Sequence, residues 1–67
     1  MEKYSILIQY DNADNIYVAM IPELTGCMAH GQTAEQAMRE INTACRLWLE
    51  TAQEEGLQIP EPMTYAG

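Results

Sequence analysis

The stretch PELTGCMAHGQTAEQA, residues 22–37, gathers a proline, two glycines, a cysteine and the single histidine of the chain. It decides the fold, because the residues before it alternate like strands and those after it recur like a helix. Pro22 cannot donate to a sheet ladder and so ends whatever strand precedes it. ELTG, residues 23–26, then turns the chain into a short third strand over 27–30, bracketed by Gly26 and Gly31. Thr33 is a good helix N-cap, and Gln36 three positions later completes the T-x-x-Q form of a capping box. The stretch reads as strand end, turn, short strand, turn and helix start, a bend rather than a catalytic site.

Upstream, the segment 3–10 (KYSILIQY) alternates. Tyr4, Ile6, Ile8 and Tyr10 fall on one face, and Ser5, Leu7 and Gln9 on the other. The turn-forming run DNADN, 11–15, separates it from a second strand, IYVAMI, 16–21. The two form an antiparallel hairpin. Downstream, Ala37, Ile41, Ala44, Cys45, Trp48 and Ala52 recur at spacings of three and four, which predicts a helix over 34–55 that ends at Gly56. The tail 57–67 carries two prolines and is expected to be extended, with at most a short C-terminal edge strand. The class is α+β: a three-stranded antiparallel sheet with one long helix on one face, in the order β-β-β-α.

That architecture leaves apolar surface over. Both faces of the second strand are apolar and the first adds Leu7 to the face away from Tyr4, yet one helix covers one face only. A chain near 67 residues also buries only about 60% of its unfolded surface. A homo-oligomer, dimer or higher, is therefore expected.

Ten acidic against three basic side chains give a net charge of −7. Such a chain repels a phosphate backbone, so nucleic acid is not expected as a direct ligand, whereas a basic protein is attracted. Asp11, Asp14 and Glu23 near the strand ends are the candidate contacts, competing with plain solubilising charge. The sequence opens without the pattern of a secretory leader, and its longest uncharged run is far short of a membrane span. A soluble, reduced, cytoplasmic protein is expected, with Cys27 and Cys45 serving as small buried hydrophobes.

No motif here carries catalysis. Cys27 and His30 are three apart in a strand and point to opposite faces, and no second histidine or C-x-x-C pair completes a zinc set. DNADN lacks the sixth-position glycine and twelfth-position glutamate of a calcium loop. No phosphate-binding glycine motif is present, and the carboxylates are scattered. Neither metal nor cofactor is expected, and Trp48 is read as core.

Tyr4 with its alternating strand, YVAMIPELTGC over 17–27, GQTAEQA over 31–37, WLE over 48–50 and GLQIPEP over 56–62 together resemble the HicB-like antitoxin domain. The resemblance spans nearly the whole chain, so residues 1–67 are read as a single domain of that kind. It implies a partial ribonuclease-H-like fold without nuclease chemistry, self-association, and binding of a small basic toxin of the HicA type, an mRNA-cleaving enzyme. The matching motif positions Pro22, Gly26, Gly31 and Thr33 have bending and capping work in this reading. Many relatives continue into a helix-turn-helix or ribbon-helix-helix segment that binds operator DNA, whereas the sequence ends here at Gly67, so operator binding by this chain is not expected. The alternative is a stand-alone oligomeric interaction module with no cognate toxin.

Overall fold

In the computed structural model, residues 3–66 are described. Three strands, β1 (Leu7–Asp11), β2 (Ile16–Met20) and β3 (Met28–Gly31), precede one helix, α1 (Ala34–Glu54). The sheet is antiparallel in the order β1-β2-β3, so both β1 and β3 are edges. This is the β-β-β-α arrangement the alternation and capping signals predict.

The hairpin closes through DNADN. Asp11 pairs with Ile16 across its base, and the Asp11 carboxylate accepts the N–H groups of Ala13 at 2.9 Å and Asp14 at 3.4 Å, an Asx turn. Asn15 takes the left-handed conformation, φ 55°, which Asn tolerates better than most residues. Its side-chain oxygen accepts from the Tyr10 hydroxyl at 3.2 Å.

The first strand is shorter at its start than the alternation over 3–10 suggests, and the cause lies in the partner. Continuing the register would place Ile6 opposite Ile21 and Ser5 opposite Pro22. Ile21 turns its main chain toward β3, so the next bonded pair of the β1–β2 ladder would be Ser5 with Pro22, and Pro22 has no N–H while the Ser5 N–H goes to the Glu23 carboxylate. Residues 3–6 therefore run beyond the ladder, and pairing begins at Leu7. The third strand likewise starts at Met28 rather than at residue 27, because the Cys27 N–H is consumed by Leu24 O at 3.0 Å. The tail 57–66 adds no edge strand; its main chain is held by side chains instead.

The helix buries Ala37, Ile41, Cys45 and Ala52, with Ala44, Trp48 and Leu49 half-buried beside them. Across from this stripe stand Ala19, Ile21, Leu24 and Cys27, and Tyr4, Ile6, Ile8 and Tyr17 pack around the rim. Tyr10 and Tyr17, opposite each other in the register, meet edge to face at 5.2 Å. The helix lies over β2 and β3 and scarcely reaches β1.

Both helix ends are closed by local chemistry. Thr33 Oγ1 accepts the Gln36 N–H at 3.0 Å, while the Gln36 side chain reaches one residue further back than a standard capping box and accepts from the Gln32 N–H at 2.6 Å. At the other end Gly56, φ 70°, gives its N–H to Gln53 O at 3.2 Å, and Leu57 gives its own to Ala52 O at 2.8 Å. Those paired bonds are a Schellman motif.

Candidate partner-binding surface

The segment from Ile21 to Cys27 consists of two successive β-turns. Leu24 N–H bonds to Ile21 O at 3.0 Å, which puts Pro22 at the position its fixed φ favours. Cys27 N–H bonds to Leu24 O, which puts Gly26, φ 79°, at the left-handed position of a type II turn. The double turn drives Leu24 into the core at 1% exposure. Gly31 serves a different need, since a Cβ there would lie 2.6 Å from Ala37 N and 2.9 Å from Gln36 Cβ. Pro22, Gly26, Gly31 and Thr33 thus sit at a turn, a second turn, a close approach and a cap.

The three acids singled out in the sequence do not form one patch. Asp11 and Asp14 lie in the hairpin turn before β2, and Glu23 lies beyond its other end, with the five residues of β2, roughly 17 Å of strand, between them. Glu23 is also occupied. Its carboxylate accepts from Ser5 N–H at 2.9 Å, Ser5 Oγ at 3.1 Å and Met63 N–H at 2.9 Å. Desolvation pushes its pKa up, but these bonds together hold it below the ordinary carboxylate value. Nothing in spacing links Glu23 to residues 18 earlier and 40 later, so this clasp was invisible in sequence.

The sheet face away from the helix is open. Leu7, Met20 and Met28 form a row across all three strands, with Leu7 43% and Met28 57% exposed. Gln9, Val18 and His30 form the next row, and Asp11 and Ile16 the last. Beside β3, a shallow groove of about 340 Å³ runs between the Gly26–Met28 main chain, Trp48, Leu57 and the exposed Leu47. A second groove, of about 300 Å³, continues along the same edge past His30 and Glu40.

Cys27 and Cys45 are buried thiols with no disulfide between them; burial, and to a lesser degree the neighbouring Cys45, push the Cys27 thiol above its usual pKa, the reverse of an activated nucleophile. Among the described residues no group of three or more His, Cys, Asp and Glu converges on a point that could hold a metal ion. No helix among them is long and apolar enough to cross a membrane.

The fold is a three-stranded antiparallel sheet backed by one helix, with tight turns and one apolar row on its open face. Residues 4–66 match the HicB-like antitoxins of bacterial toxin-antitoxin systems, and the chain belongs to that family. It is 44% identical over 57 residues to a UPF0150 protein of Synechocystis sp., an alignment covering 85% of this chain and 77% of that one. A UPF0150 protein of Thermoplasma acidophilum is 34% identical over 58 residues, covering 87% and 83% of the two chains. No solved structure matches. Membership supports an antitoxin-type role and, with it, a toxin partner of some kind.

Proposed function

We propose that this protein is a non-catalytic antitoxin that binds and neutralises a small basic toxin of the HicA type, an mRNA-cleaving enzyme, in the cytoplasm where such a toxin meets its substrate. The observation that carries this is the net charge of −7 on a chain of the antitoxin family. The exterior carries Asp14, Glu35, Glu40, Glu50, Glu54, Glu55 and Glu61 against Lys3, Arg39 and Arg46. A field of that sign speeds the approach of a cationic protein and opposes that of nucleic acid, so operator DNA is not proposed as a direct ligand. Among Asp11, Asp14 and Glu23, Asp14, exposed in the hairpin turn, is the acid best placed to meet the toxin, since the carboxylates of Glu23 and Asp11 already accept bonds within the chain. Titrating the protein against the product of a neighbouring basic gene, with ribonuclease activity as the readout at low and moderate salt, tests the reading. Stoichiometric inhibition, with association slowing as salt rises, is expected. Failure to inhibit at excess would leave the stand-alone module, which the open Leu7–Met20–Met28 row favours.

The same row supports self-association, because it is apolar surface that α1 cannot cover. A molecular mass and a melting temperature that both rise with protein concentration are the expected result.

A further inference from the structure

We propose that the groove between β3 and α1 seats an extended, basic segment of the toxin, added to the sheet as a fourth strand beside β3. The proposal rests on the antitoxin reading above; it names a seat beyond the Asp14 turn and the kind of segment that fits it. The Ile21 N–H bonds to Cys27 O, and Ile21 stands opposite Cys27 when the β2–β3 register is continued. Hydrogen-bonded and non-bonded pairs alternate in an antiparallel ladder, so Ala29 and Gly31 turn their main-chain groups toward β2. Met28 and His30 turn theirs outward, along the groove. A strand laid there meets open main chain on one side and Ala44, Trp48 and the exposed Leu47 on the other, the arrangement by which sheet edges take up extended peptides.

The charge of the groove selects a cationic occupant. At about 3.6 residues per turn, Ala44, Leu47 and Thr51, which line it, share a side of α1 with Glu40, Glu54 and Glu55, while Arg39 and Arg46 lie on the far side. His30 is the only lining side chain that can carry positive charge. Glu54 and Glu55 also stand at the negative end of the helix dipole, with no basic residue in the last turn. That placement lowers the stability of the free chain, and an arriving cation relieves it. The cleft beside β1 differs, since Glu35 and Arg39 both line it and their charges balance. About 22 Å of helix separates Glu40 from Glu55, which about seven residues of strand would span. The segment that fits is therefore apolar in its middle, with Lys or Arg at each end on the side facing α1.

The probe is an end-capped peptide, Lys-Thr-Val-Thr-Val-Thr-Lys, which when extended puts both lysines and both valines on one side; its counterpart with Glu for Lys is the control. Amide hydrogen exchange on the intact chain at millimolar peptide should slow about tenfold at Met28 and His30 with the lysine peptide, and stay unchanged with the other. Glu54→Lys combined with Glu55→Lys should weaken that binding about fivefold while raising the melting temperature, because cations there complement the dipole. Weaker binding by a more stable chain is not misfolding. The same variant should inhibit the neighbouring basic gene product less well than the parent does. Slowing at the outward β1 amides of Ile8 and Tyr10 instead, or at neither edge, would overturn the β3 seat. An equal response to both peptides would overturn the charge argument. A variant that inhibits the toxin as well as an inhibiting parent would overturn this seat and leave the antitoxin reading standing. A parent that seats the peptide but inhibits no such toxin would overturn the toxin as occupant, and the antitoxin reading with it.

Discussion

The indole Nε1–H of Trp48 donates to the carbonyl oxygen of Thr25 at 3.0 Å. This bond joins the middle of α1 to the turn that launches β3. Gly26 provides the turn its left-handed residue, while Trp48 fixes its position relative to the helix, so the two act on different steps of the same bend. Trp48→Phe keeps most of the ring packing and should cost about 1 kcal/mol, the net worth of one hydrogen bond. Trp48→Ala should cost more, because the contact with the core goes too. Urea unfolding at unchanged m-value measures both, and a Phe variant as stable as the parent would show the bond to be idle.

Gly26 and Gly31 should separate by mechanism. Gly26→Ala meets no atom within 4 Å but must hold φ 79°, a cost of about 1–2 kcal/mol. Gly26→Asn should recover part of it, because Asn visits that region. Gly31→Ala drives its Cβ to 2.6 Å from a backbone nitrogen of α1, and overpacking against main chain should cost about 3 kcal/mol or more. Asn at 31 should be worse still. Thermal melts of the four variants rank them, and equal losses at the two sites would contradict the assignment.

Glu23 predicts an acid limb in the stability curve. Its folded-state pKa is depressed by the Met63 and Ser5 bonds against an opposing desolvation, so the clasp contributes fully above the unfolded carboxylate pKa and is lost as pH falls through the lower folded value. Glu23→Gln should lower the melting temperature at neutral pH and narrow its difference from the parent below about pH 4, where unfolded carboxylates are protonated. A constant difference from neutral to strongly acidic pH would show that charge is not what the clasp uses.

The two thiols should be silent in the native state. Cys27 and Cys45 are 4% and 2% exposed, and burial raises the Cys27 pKa. A thiol-specific disulfide reagent at mildly alkaline pH should therefore react only at the rate of global or local opening, and both thiols should titrate at once in denaturant. Rapid modification of either thiol in the folded protein would contradict this burial.

Much of the fold is local and was legible for that reason. Thr33, Gln36 and Gly56 announce α1 because caps are decided by residues within one turn, and Pro22 announces the end of β2 because a missing N–H acts where it stands. The length of β1 was not legible. Tyr4, Ser5 and Ile6 alternate as a strand should, yet pairing is a property of the partner, and β2 runs out of donors at Pro22. The surface was legible only as composition. Net charge and surplus apolar residues point to contact with other chains, but Glu23 binds residues far away in sequence, so its carboxylate looks free until the chain folds.

The clasp at Glu23 also fixes where the chain enters and leaves. Ser5 and Met63 meet the same carboxylate, and the Tyr4 hydroxyl donates to Pro60 O at 2.5 Å close by. The two ends of the folded unit therefore emerge side by side, beyond the end of β2 opposite the hairpin turn. A short Gly/Ser linker can join them, and new termini opened in the exposed 12–15 turn would give a circular permutant with the same sheet and helix. Any tag or domain fused to either end projects from this one side, leaving the hairpin turn with Asp11 and Asp14 unobstructed.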